Sequence, residues 1–152
     1  MTNNDILRRL RYVFDYKDSK MIEIFSFVNV KKTQEEIINL LRQDENAKQE
    51  ECTDIVLANF LNGLIIDRRG KKDAEEPREE TDLTNNAILM KIKIALNLKA
   101  EDILNILELN NFKISKHELS ALFRKDTHKH HRECNNQLLR NFLKGLQLKY
   151  RG

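Results

Sequence analysis

Apolar residues recur along this chain at helical spacings of three and four, and the pattern is written twice. Ile6, Leu10, Val13 and Phe14 fall on one helical face, and 82 positions later Ile88, Ile92, Ala95 and Leu96 do the same. A second stripe, Met21, Ile24, Phe25 and Val28, returns as Ile103, Ile106 and Leu107. A third, Ile37, Leu40 and Leu41, returns as Leu119, Leu122 and Phe123. A fourth, through Cys52, Val56, Phe60, Gly63 and Leu64, closes the first unit. The pattern predicts four helices per unit and two units per chain.

The residues between the stripes repeat as well. Asn59-Phe60-Leu61-Asn62-Gly63-Leu64 returns as Asn141-Phe142-Leu143-Lys144-Gly145-Leu146. Glu51-Cys52 precedes the first copy and Glu133-Cys134 the second; Arg69-Gly70 and Arg151-Gly152 follow them. Thr2-Asn3-Asn4 matches Thr84-Asn85-Asn86, Asn29 matches Asn111, and Arg42-x-Asp44 matches Arg124-x-Asp126. Roughly a third of the positions agree without a gap, which is the signature of a duplicated unit rather than of a short shared motif. The expected fold is all-α: two homologous four-helix units in tandem, packed on each other about a pseudo-two-fold. The first unit covers residues 1–70 and the second 84–152. A charged linker, 71–83, rich in glutamate, is expected to be solvated.

Start signals place the helices. Asn3 or Asn4, and Asn85 or Asn86, are suited to cap the first helix of each unit. The second helix begins near Asp18 and, in the other unit, near Ala100. Thr33-Gln34-Glu35-Glu36 and Ser115-Lys116-His117-Glu118 are capping boxes, in which the hydroxyl and the carboxylate satisfy each other's first-turn N–H groups. Thr53 or Asp54 opens the fourth helix. Gly63 and Gly145 sit inside an apolar helical face, at about 1 kcal/mol of helix propensity each against alanine. Close approach of another helix offsets that cost, either within the unit or between the two.

Composition adds limits. One proline and four glycines in 152 residues leave few helix breakers. No apolar run approaches the ~18 residues that span a bilayer, so no membrane partner is expected. Met1 to Asp5 is polar, without the apolar core of a secretory signal, which points to the cytoplasm. Cys52 and Cys134 belong to no C-x-x-C pair and fit a reducing compartment.

Charge separates the two copies. Residues 1–70 hold 11 Lys/Arg against 12 Asp/Glu, whereas residues 84–152 hold 13 against 6, a net +7. The densest stretch runs from Arg124 to Cys134, with Lys125, His128, Lys129 and Arg132 beside Arg124 as the candidate anion or nucleic-acid contacts. The commoner outcome of such an excess is a solvated surface. His128, His130, His131 and Cys134 invite a metal reading, but their spacing matches no zinc pattern and nearby cations oppose a divalent ion. Neither metal nor cofactor is expected. A thiol at a helix N-terminus has a lowered pKa, and His131 lies near Cys134 in sequence, so an enzyme using Cys134 with a histidine stays a third class. No catalytic residue is assigned. A buried structural cysteine is the commoner case. Arg42, Asp44, Asn59, Phe60 and Gly63, with Arg124, Asp126, Asn141, Phe142 and Gly145, are read as repeated structural residues. The Arg-x-Asp pair is expected to clasp the polar segment against the fourth helix. The leading function class is a non-enzymatic interaction or regulatory module with an unknown protein partner; nucleic-acid binding through the basic second unit is the alternative. The oligomeric state is open.

The paired Asn-Asn starts, the Phe-Leu-x-Gly-Leu motifs and the Arg-Gly ends resemble the YehS-like family of bacterial proteins. The closest stretches are Asp54-Ile55-Val56-Leu57 leading into Phe60 to Ile65, and Arg132-Glu133-Cys134 leading into Gln137 to Arg140 and Phe142-Leu143. His128-Lys129 also resembles the family pattern, whereas His130 and His131 do not. The resemblance spans the chain and implies a tandem duplication of a domain of unknown function in a bacterial cytoplasm. It implies no catalytic residues.

Overall fold

The computed structural model describes residues 1–71 and 82–152, and these form eight helices with no strand. The first unit holds α1 (Asn3–Phe14), α2 (Asp18–Ser26), α3 (Gln34–Leu40) and α4 (Asp54–Arg69). The second holds α5 (Asn85–Leu96), α6 (Ala100–Leu109), α7 (Lys116–Leu122) and α8 (Asn136–Arg151). Most of the expected linker, residues 72–81, lies outside the described residues. Its last residue, Leu83, is buried, and its amide donates to Asp54 Oδ2 at 3.0 Å. No helix among the described residues is long and apolar enough to cross a membrane.

Local signals set most boundaries. Both capping boxes are present, Thr33 with Glu36 and Ser115 with Glu118. Thr53 caps α4 and accepts from Val56 N–H. α1 and α5 stop at Asp15 and Asn97, both in the left-handed region, where short polar side chains are tolerated. The repeated Asn29 and Asn111 have φ of 61° and 56°, which accounts for asparagine at both places. The expected caps of α1 and α5 are corrected. Thr2 and Thr84 cap these helices, accepting from Asp5 and Ala87 N–H. All four asparagines point elsewhere.

The units pack by exchange. α1 lies chiefly along α8, and α5 along α4, while contacts of α1 with α4 and of α5 with α8 are sparse. First-unit α1 on second-unit α8, and second-unit α5 on first-unit α4, is the reciprocal pattern of an isologous interface, here within one chain. α4 also packs on α2, and α8 on α6. α4 is therefore enclosed on more than one side. Leu57, Ala58 and the whole run from Phe60 to Ile65 are buried, wider than the single stripe the spacing predicts, and Val56 is only half-buried. One core runs through both units, from Leu7 and Leu10 through Phe60 and Leu64 to Leu89, Phe142 and Leu146.

The two glycines resolve in favour of contacts within each unit. A Cβ at Gly63 would lie 2.1 Å from the Ile24 carbonyl oxygen on α2, and one at Gly145 would lie 2.2 Å from that of Ile106 on α6. Both neighbours are backbone atoms, so no side-chain rotation relieves the clash. Glycine is what lets α4 seat on α2 and α8 on α6.

These contacts set expected stabilities. Phe60 and Phe142 are fully buried, and truncating either to alanine should cost about 3–5 kcal/mol. Gly63→Ala and Gly145→Ala should each cost at least about 1–3 kcal/mol, because the helix pair must separate. Urea melts of the four variants measure this; losses under about 1 kcal/mol throughout would reject the packing described.

Candidate functional site

Residues 123–135 join α7 to α8 and contain all five candidate anion-binding residues. The loop has a backbone design that the first unit repeats. His128 N–H donates to Lys125 O, His131 N–H to His128 O, and Arg132 N–H to Ala121 O, at 2.9–3.1 Å. In the first unit, Asn46 donates to Gln43, Gln49 to Asn46, and Glu50 to Asn39, at 3.0–3.1 Å. The two loops are the same construction.

An asparagine from the first helix braces each loop. Asn4 Nδ2 donates to Leu40 O at 2.9 Å and Glu50 O at 2.8 Å, and its Oδ1 accepts from Cys52 N–H at 3.0 Å. Asn86 does the same with Leu122 O at 2.9 Å, Arg132 O at 2.8 Å and Cys134 N–H at 2.8 Å. Each amide spends two donor hydrogens and its oxygen on one backbone strand. The neighbouring asparagine reaches the start of the fourth helix: Asn3 donates to Asp54 Oδ1 at 2.8 Å, and Asn85 to Asn136 Oδ1 at 2.8 Å and Cys134 O at 3.0 Å. The Asn-Asn dipeptide is thus a tether.

The histidines take over bracing that amides perform in the first unit. His128 Nδ1 accepts from His130 N–H at 3.0 Å, where Asn46 Oδ1 accepts from Lys48 N–H at 2.9 Å. His131 Nδ1 meets Arg124 O at 2.9 Å, where Gln49 Nε2 donates to Arg42 O at 3.0 Å. The geometry assigns the tautomers: Nδ1 carries the hydrogen in His131 and is bare in His128. Among the described residues, no group of three or more His, Cys, Asp or Glu is placed to hold a metal ion.

The cations divide. Arg132 forms an ion pair with Glu118, and this bond, with the Ser115 backbone N–H, holds the Glu118 carboxyl below its usual range. Arg124 is half-buried, with its carbonyl engaged by His131. Lys125, His128 and Lys129 are exposed. Asn135 caps α8 and takes the Leu138 N–H, so the helix entry is already served by the chain itself.

The cysteines behave opposite to the helix-terminus expectation. Burial pushes the Cys52 thiol up to about 12 and the Cys134 thiol up to about 11. Desolvation of the thiolate outweighs the nearby helix end and, at Cys134, the charge of Arg132. His131 directs its Nδ1 hydrogen to Arg124 O, and no thiol–imidazole contact forms through that atom.

The Arg-x-Asp clasp is also corrected. Asp44 accepts from Gln49 at 2.8 Å, from Arg8 at 3.4 Å and from Thr2 at 3.3 Å. Those bonds, Gln49 foremost, lower its carboxyl pKa, and the ones from Arg8 and Thr2 hold the loop to α1 rather than to α4. Arg42 Nε donates to Asn39 Oδ1 at 2.9 Å. In the second unit Met90 stands in place of Arg8, and Asp126 is exposed. Asn141 links α8 to Asn110 at the end of α6, at 2.5 Å, while Asn59 is half-buried on α4. One buried polar contact escaped the sequence reading: Lys91 on α5 donates to Asn62 Oδ1 on α4 at 2.8 Å, across the interface between units. Its signal was Asn62 itself, a lone amide within an apolar run.

Two copies of an asparagine-braced four-helix unit, joined by reciprocal packing, define a tandem helical duplication. The chain belongs to the family described as "Protein of unknown function (DUF1456)", whose pattern matches it twice, over residues 3–70 and 85–152. It is 42% identical, over 147 residues, to "Uncharacterized protein YehS" of Escherichia coli (strain K12), covering 96% of this chain and 94% of that protein. No solved structure matches the chain.

The braces and thiols yield two expectations. Asn4→Ala and Asn86→Ala each strip three backbone groups of their partner, at about 1–3 kcal/mol for every group that water cannot reach. The loss should appear in urea melts, with faster amide exchange at Cys52 and Cys134; unchanged exchange at both would refute the brace. Native Cys52 and Cys134 should both react slowly with a disulfide reagent at neutral pH and quickly once unfolded. Rapid labelling of Cys134 alone would revive it as a nucleophile.

Proposed function

We propose that the protein is a non-enzymatic interaction module of the cytoplasm, and that the loop over residues 124–134 is its contact surface for an anionic partner, in the first place an acidic face of another protein. The observation that carries this is the pair of loops. They share one backbone brace, but residues 43–50 hold one Lys against three Asp/Glu, whereas residues 125–132 hold three Lys/Arg against one Asp. The scaffold is kept and the surface charge is reversed. Lys125 and Lys129, at the exposed turns, carry the contact, with His128 beside them. The raised thiol pKa and the bracing role of His131 weigh against an enzyme built on Cys134. Two free cysteines fit a reducing cytoplasm.

Nucleic acid is the second reading, favoured by the net +7 of residues 84–152. A titration by fluorescence anisotropy separates the two, with polyglutamate as the acidic polypeptide and short DNA and RNA, single- and double-stranded, as the alternatives. Wild type should bind the acidic polypeptide at low salt, and Lys125→Ala/Lys129→Ala should weaken it and flatten the salt dependence by about 1 log–log unit per lost contact. Tighter binding of nucleic acid than of polyglutamate would favour the second reading. Binding of neither at low salt would sink both.

A further inference from the structure

A second feature separates the two units, away from the loop just discussed. Arg8, Arg11 and Tyr12 lie on one side of α1 at spacings of three and four, and Asp15 is the left-handed residue that ends it. With Tyr16 and Leu41 they line a hollow of about 330 Å³ on the first unit. That is within the range of small-molecule sites.

The two arginines are held in position through backbone carbonyls. Arg8 donates to Arg42 O at 2.5 Å, and Arg11 Nε to Tyr16 O at 3.0 Å. Their carboxylate contacts are longer: 3.4–3.5 Å from Arg8 to Asp5 and Asp44, and 3.4 Å from Arg11 to Asp18. Close charge-assisted bonds run at about 2.7–2.9 Å. Each guanidinium has five donors: Arg8 directs both terminal nitrogens to Arg42 O, Asp44 and Asp5 and keeps its Nε, while Arg11 uses Nε and Nη2 and keeps its Nη1. The acidic lining residue, Asp15, is matched by Arg151 of α8 at 3.1 Å.

The aromatic side is equally defined. Tyr12 is half exposed, with the Arg151 guanidinium 4.6 Å from its ring centre. Tyr16 stacks on Phe14 with ring centres 5.3 Å apart and planes 29° apart. Tyr150 of α8 meets Phe14 edge-on at 5.6 Å. The hollow therefore has two positioned guanidinium groups beside two flat rings, and Arg151 of α8 contacts two of its lining residues, Tyr12 and Asp15.

The second unit has none of this chemistry at the matching places. Met90, Ile94, Leu98 and Phe123 replace Arg8, Tyr12, Tyr16 and Leu41, and Lys93 replaces Arg11 with its ammonium 5.5 Å over the Phe123 ring. The matching helix carries apolar side chains packed on the core there, so the first-unit set is not required by the fold.

We propose that this hollow binds a small organic oxyanion on a flat ring, its carboxylate or phosphate taken by Arg8 and Arg11 and its ring laid against Tyr12 and Tyr16. Planar, bidentate recognition of oxyanions is what arginine does and lysine does not. Aromatic faces supply the apolar half of the contact.

The test uses the full chain, labelled with nitrogen-15. Benzoate and phenyl phosphate are titrated against acetate, inorganic phosphate and benzyl alcohol, the last three carrying one half of the recognition each. The aromatic anions should shift the amides of Arg8, Arg11, Tyr12 and Tyr16 and bind at least about tenfold more tightly than any of the three half-ligands. Tyr12→Ile/Tyr16→Leu installs second-unit residues and should weaken the aromatic anions about tenfold, with the rest of the spectrum unchanged. Should that variant unfold, Arg11→Lys serves in its place, keeping the charge and losing the fork; the same weakening is expected. Shifts from inorganic phosphate or benzyl alcohol as strong as those from phenyl phosphate would overturn the proposal. So would the absence of shifts at these four residues, or equal binding by a folded variant.

Discussion

Each unit depends on one amide, Asn4 buried in the first and Asn86 half-buried in the second. Each ties the end of the third helix and the segment that leads to the fourth through three backbone groups at once. Without a partner those groups would sit unpaired beside the core, and the segment would have no reason to take this path. With them paired, the segment is tied to α1 or α5, the cysteine after it is buried, and the fourth helix starts in a fixed place. Asn3 and Asn85 add a second tie to that start. Loop shape, thiol burial and helix position follow from two adjacent side chains.

With the frame fixed in this way, the surfaces were free to change. The loop brace survives the replacement of Asn46 by His128 and of Gln49 by His131, because each new ring nitrogen makes the old bond. The charge around it reverses. On the first unit, arginines and tyrosines gather on α1 where the second has methionine, isoleucine and leucine. Lys91 and Asn62 likewise meet at one of the two inter-unit contacts, where the other has Arg9 and Lys144. Duplication kept the interior and diversified what faces outward or lies at the seam.

The parts of this structure legible in the sequence are those decided locally. Capping boxes, the four stripes per unit and the gapless repeat all follow from neighbours along the chain. Thr-Asn-Asn was misread because all three residues are good caps, and only burial of the loop against α1 shows which one does the capping. The buried structural cysteine is the commoner reading of the sequence, and desolvation, a property of the whole core, raises both thiols in line with it. The spacing of the histidine tract argues against a ligand set, but its bracing role is visible only against Asn46 and Gln49 in the structure. The hollow on α1 is not legible in the sequence because Leu41, which helps to line it, comes from a distant part of the chain. Gly63 could be recognised as a close approach, but the partner helix could not be named.

The exchange of helices between units bears on the order in which the chain is made. α1 is synthesised well before α8, yet they pack on each other. Until α8 emerges from the ribosome, the apolar face that α1 offers it has no cover. α4 and α5, adjacent in sequence, meet early and form the other half of the interface. The nascent chain therefore carries an exposed stripe through most of its synthesis, the condition under which chaperones engage hydrophobic segments. The closing step joins α1 to α8, a contact of high sequence separation and the slowest kind for a helical protein to make.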